Sequence, residues 1–154
     1  MFEFLKRMFG QEPISNSAII HSSKGNYTNN NNLISGGHGQ EAIDYMDKNN
    51  IEYNIVKTYP NGVRVGNVPK HKNKIKRTGT NQSWFPKGWT RKDIKKAGQI
   101  VAIGGKYFDG KIKHRKTNSI DVGIIRTNGK IATIFPLNKQ ENKKQNSNWA
   151  NIAL

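Results

Sequence analysis

The 154-residue chain contains no cysteine. That absence excludes disulfide frameworks, thiolate metal sites and cysteine nucleophiles together, and it suits a fold that meets both oxidising and reducing compartments. Acidic residues are scarce: 10 Asp and Glu stand against 26 Lys and Arg, for a formal charge of +16. None lies between Lys57 and Arg91. Two-metal phosphoryl chemistry needs clustered carboxylates, so metal-dependent cleavage is disfavoured and neither metal nor cofactor is expected. No histidine pair has the close helical spacing of a HExxH zinc site. Long apolar runs are missing as well, so no stable membrane insertion is expected. The start, MFEFLKRMFG, is too short and too charged for a secretory signal, and secretion or delivery into another cell would need a different route. The apolar fraction, 34%, is low for a globular chain and predicts that part of the length is disordered.

What is abundant is positive charge, and it concentrates in one stretch. Pro69–Trp89 carries Lys70, Lys72, Lys74, Lys76, Arg77 and Lys87, one histidine (His71), and then the aromatic block Trp84-Phe85-Pro86. A basic loop that ends in an aromatic anchor suits a phosphate-rich ligand held against a folded wall. An excess of +16 makes a polyanionic partner the natural expectation, nucleic acid first, with an anionic membrane surface or an acidic protein as rivals.

The length fits one domain, or one domain with tails. Met1–Phe9 reads as a frayed end or a junction from a longer protein, with a short amphipathic, membrane-touching helix as the rival reading. Residues 11–32, polar and ending in four asparagines, read mostly as flexible linker, with a short strand possible at Ile19-Ile20. Ser35-Gly36-Gly37-His38-Gly39 then opens a helix over Gln40–Asn50, placing His38 at its N-terminus. Free amides there would favour an anion, and the flanking glycines would let a substrate backbone come close. Glu52–Tyr59 and Val63–Val68 read as strands joined at Pro60-Asn61-Gly62. Thr90 and Asp93 mark a helix start, with Ile94, Ala97 and Val101 as its buried stripe and Gly104-Gly105 as its end. Residues 106–118 read as a polar, basic hairpin or loop around Asp109-Gly110. Ile120–Arg126 and Lys130–Phe135 flank Asn128-Gly129, the strongest short hairpin signal. Residues 137–154 read as a basic tail whose Trp149 could dock on the core.

RNA offers a metal-free route to cleavage. Its 2′-hydroxyl is an internal nucleophile; one histidine removes that proton and another protonates the leaving 5′-oxygen. A lysine stabilises the charge that develops on the phosphorane oxygens. The product is a 2′,3′-cyclic phosphate. His38 and His71 with a nearby lysine meet that inventory, and which is base and which acid stays open. The competing reading is a basic RNA-binding module with no catalysis.

Three segments, SGGHGQEAIDYM at 35–46, NGVRVGNVPKHKNKIKRTGTNQSWFPKGW at 61–89 and IIRTNGKIATIFP at 124–136, resemble the bacterial branch of the EndoU endoribonuclease family, a nuclease domain found at the C-termini of polymorphic toxins. The resemblance implies an α+β fold of two small antiparallel sheets with flanking helices around a central cleft. It implies a flexible segment at 1–34, a nuclease domain at 35–136 and a tail at 137–154. It implies a His-His-Lys set, carried by GGH to His38 and by VPKHK to His71, with His21 as a rival for the first histidine. For the lysine, Lys74, Lys76 and Lys87 are available and Lys76 is chosen; Lys74 and Lys87 are assigned to substrate binding. In TIFP, Thr133 would contact the base and Phe135 would stack on it; without the tyrosine hydroxyl common at that position, uridine preference is not implied. RNA, plausibly tRNA, is the implied substrate, and an acidic immunity protein the implied partner.

Overall fold

A computed structural model of the protein describes residues 2–142. Four helices and three small antiparallel sheets follow one another in the order α1 (Phe2–Met8), α2 (Asn16–Ser23), β1 (Asn26–Tyr27), β2 (Leu33–Ser35), α3 (Gln40–Lys48), β3 (Asn54–Thr58), β4 (Arg64–Asn67), a 3-10 turn (Lys74–Arg77), β5 (Gln82–Trp84), α4 (Arg91–Val101), β6 (Ile112–Thr117), β7 (Ile120–Thr127) and β8 (Lys130–Pro136). The sheets are β1-β2, β3-β4-β5 and β6-β7-β8. The α+β class is as expected; the small β1-β2 ribbon is a third sheet beyond the two anticipated. Among the described residues no helix is long and apolar enough to cross a membrane.

Helix α4 forms where the sequence places it. Thr90 accepts the Asp93 amide while the Asp93 carboxylate takes the Thr90 amide, the reciprocal cap its spacing announces. Ile94, Ala97 and Val101 are buried and join Ile120, Val122, Ile124 and Ile134 of the last sheet in the larger core. A second core gathers Leu33, Ala42, Ile43, Met46, Val68 and Trp84. Trp84 and Phe85, adjacent in sequence, enter different cores, and Trp89 stacks on Phe85 at 4.8 Å.

Three stretches depart from expectation. Residues 11–32 are not mainly linker: α2 lies in them, and Ile14, Ala18 and Ile19 are buried in the larger core. The serines of this helix conceal it in the sequence and are satisfied in the fold. Ser15 caps the Ala18 amide, and Ser22, fully buried, donates to the Ala18 carbonyl and accepts the Ile134 amide. A boundary at Ser35 therefore cuts through packed structure. Residues 106–118, read as a hairpin or loop around Asp109-Gly110, hold strand β6 in their second half; the hairpin turn lies instead at Asn118-Ser119, both with positive φ, where β6 turns into β7. The tail begins later than residue 137. The Leu137 amide donates to the Asp121 carbonyl, the Tyr59 hydroxyl to the Asn138 carbonyl, and Gln140 bonds both Asn61 and Asp121. Residues 143–154, Trp149 included, lie outside the described residues. At the other end Phe2–Met8 is helical, with Phe4, Leu5 and Met8 exposed.

Candidate functional site

The glycine loop before α3 is shaped by the end of α2. A helix leaves its last four carbonyls without partners of its own. Here the amides of Gly37, His38 and Gly39 donate to the carbonyls of His21, Ser22 and Ser23 at 2.9, 2.6 and 2.9 Å. The chain must run almost against the helix to do this. A Cβ on Gly36 would lie 2.0 Å from the His21 carbonyl oxygen, and its φ of +70° is one that side chains disfavour. These glycines therefore serve contact with α2. The anion hole expected at the α3 N-terminus is not formed by these amides, because they are already used.

That loop and the basic loop face one cavity of about 620 Å³. His21 from α2, His38, and His71 and Lys76 from the basic loop all border it, together with Thr133 and Phe135 of β8. Lys74 and Lys87, assigned to substrate binding from the sequence, are exposed and stand outside the residues that line it. No carboxylate borders the cavity among the described residues, and none of their His, Asp and Glu side chains form a group of three able to hold a metal ion.

Each imidazole is fixed differently. His38 is 3% exposed; its Nδ1–H donates to the Ser83 carbonyl at 2.7 Å, which leaves the lone pair on Nε2. Its ring lies 5.7 Å from that of Phe135. His71 is 1% exposed, and its Nδ1 accepts the Asn73 amide at 2.8 Å, so the neutral ring carries its proton on Nε2. That Nε2 is buried without a partner among the described residues. His21 lies with Nδ1 3.3 Å from the Asn26 side-chain oxygen and Nε2 3.1 Å from the Thr133 hydroxyl. Thr133, expected to contact a base, thus engages a histidine instead in the free protein.

Lys76 is tied to the glycine loop through a residue the sequence reading passed over. Its Nζ donates to Gln82 Oε1 at 3.2 Å, and the fully buried Gln82 amide donates to the Gly36 and Gly37 carbonyls at 3.2 and 3.1 Å. Nothing in the sequence separates Gln82 from any other polar residue near an aromatic block. Arg77, one of the cations of the basic run, donates to the His71 carbonyl at 2.6 Å and so holds the loop's shape.

Crowded positive charge and burial set the protonation states. Burial lowers the pKa of Lys76. Burial, then Lys76, hold His38 well below the usual histidine range. Burial, then Lys76 and Arg77, push His71 down to about 4. His21 is lowered too, by burial first, but the Asn26 hydrogen bond raises it in part. At neutral pH the cavity therefore presents neutral His38 and His71 beside an ammonium, a setting that attracts one phosphate and leaves the His38 Nε2 free to accept a proton.

The family model of the bacterial EndoU nucleases matches residues 15–138, a span that includes α2 and reaches past β8. No curated protein and no solved structure matches the chain. The match covers most of the chain, and the chain belongs to the bacterial EndoU nuclease family.

Proposed function

We propose that this EndoU-family nuclease cuts RNA by transesterification at the cavity bordered by His21, His38, His71 and Lys76. The observation that carries the reading is the convergence of these residues, from α2, the glycine loop and the basic loop, on one cavity that no carboxylate borders among the described residues. His38, with Nδ1–H held by Ser83, takes the 2′-hydroxyl proton at Nε2. The leaving 5′-oxygen needs a proton from an imidazolium. We assign this role to His21: burial lowers its pKa, but the Asn26 oxygen at Nδ1 partly offsets that and favours the protonated ring, whereas His71 has no such acceptor among the described residues and is pushed to about 4. His71 then acts as a neutral Nε2–H donor to a phosphoryl oxygen, beside Lys76. Phe135, next to His38, offers a face for a base. In this assignment Thr133 holds His21 until substrate arrives.

The test is incubation of the purified protein with short RNAs in EDTA, followed by analysis of the fragment ends. The expected product ends in a 2′,3′-cyclic phosphate, and a 2′-deoxy substitution at the cut blocks it. Plain 3′-hydroxyl ends, or cutting only after a divalent cation is restored, would overturn the scheme.

The wider setting is proposed on composition and resemblance. A toxin domain that cuts tRNA in a recipient cell needs a neutralising partner in its producer. With a formal charge of +16, that partner would be acidic and would cover the cleft. Sequencing the ends of fragments made from total cellular RNA would identify the target, and fragments spread evenly over all RNA classes would count against tRNA.

A further inference from the structure

Ile34 and Ile75 are large apolar side chains left in solvent, 43% and 67% exposed. Neither belongs to a core. Ile75 sits between Lys74 and Lys76 on the 3-10 turn, where a polar residue would serve the fold as well. Yet both side chains border the same cavity as His38, His71 and Lys76. The Lys72 amide, donating to the Leu33 carbonyl at 2.9 Å, draws their two segments together. Phe135 and Leu137, from the other end of the chain, also border the cavity, with Ile112 and Ile125 of the last sheet.

A phosphodiester has a nucleoside on each side, so a site that cuts one receives two bases. We propose that Ile34 and Ile75 form a second base-binding subsite, which packs the base across the cut from the one that meets Phe135. This rests on the nuclease reading above. Lysines and Arg77 on the same turn supply the charge that a flanking phosphate needs, and among the described residues no acidic side chain borders the cavity to repel it. Aliphatic side chains grip the flat face of any base, so this subsite senses that an unstacked base is present and not which base it is.

The experiment first maps the cut that the wild-type protein makes in a short, unstructured RNA. The same RNA is then made with 2′-deoxy sugar at the cut, and with an abasic residue on one side or the other. Fluorescence anisotropy reads binding of the deoxy forms, and initial rates read cleavage of the ribose forms. Ile75→Ala is expected to weaken binding of the intact RNA about three- to thirtyfold, with an unchanged thermal melt because the side chain is exposed. The wild-type protein should bind RNA that is abasic on one side as weakly, Ile75→Ala should not distinguish that RNA from the intact one, and Ile75→Leu should restore binding. Equal losses on intact and abasic RNA, or no loss at all, would overturn the subsite while leaving cleavage in place. A wild-type protein that neither binds nor cuts any RNA would overturn the nuclease reading along with it.

Discussion

His38 and His71 border one cavity and are both almost wholly buried, yet their surroundings are opposites. His38 is embedded: its own amide is on Ser22, its carbonyl takes the Phe85 amide, and its Nδ1–H is on Ser83. His71 is held locally, by the Val68 carbonyl, the Asn73 amide and Arg77, all within six residues of it. The first ring presents a lone pair at Nε2 and the second a proton. The same side chain therefore becomes an acceptor in one loop and a donor in the other, according to whether the backbone group on Nδ1 is a carbonyl or an amide.

The largest effect separates these roles from the rest of the molecule. His38→Ala and Lys76→Ala are each expected to slow RNA cleavage by about 10²–10⁴-fold, measured as initial rates in EDTA. Rates near wild type would remove either residue from the chemistry. A smaller loss, about 10²-fold, is expected for His71→Asn, whose side-chain oxygen still accepts the Asn73 amide but which lacks Nε2. His71→Ala should lose the same activity and melt at lower temperature. If only the alanine variant lost activity, His71 would be holding its loop and donating nothing.

Stability against pH sharpens the same comparison. The pKa of His71 is about 4 in the folded protein, against 6.5 as the ordinary value, so the unfolded chain takes up the proton first as pH falls. Its contribution is intact above pH 6.5 and is lost as pH falls towards 4, by up to about 3 kcal/mol. Urea midpoints at pH 7.5 and 4.5 should differ more for the wild type than for His71→Asn. The smallest effect strikes the His38 loop alone. Gly36→Ala meets the His21 carbonyl and a disfavoured φ, and should destabilise the fold by about 2 kcal/mol in denaturant titrations. A neutral result would mean the glycine loop does not need its close seat on α2.

Much of this was legible wherever local chemistry and global packing agree. Thr90 and Asp93 announced α4, and Asn128-Gly129 announced the last hairpin. His38, His71 and Lys76 were singled out from the sequence, and the fold brings them to one cavity. Helix α2 was missed because Ser15, Ser22 and Ser23 look like linker and are used as caps and buried donors. With it went the placement of His21, whose position depends on a helix that the composition hides. The glycines at 36–39 were read as open to substrate because nothing in sequence shows that α2 ends against them. Gln82 depends wholly on tertiary contact, and Asn118-Ser119 makes the turn that Asn-Gly usually makes.

The most direct measurement is the protonation of the two rings at pH 7, read from long-range proton–nitrogen spectra of the histidine side chains. The account requires both rings to be neutral, with His38 protonated on Nδ1 and His71 on Nε2. Finding His38 charged, or the two tautomers exchanged, would contradict it.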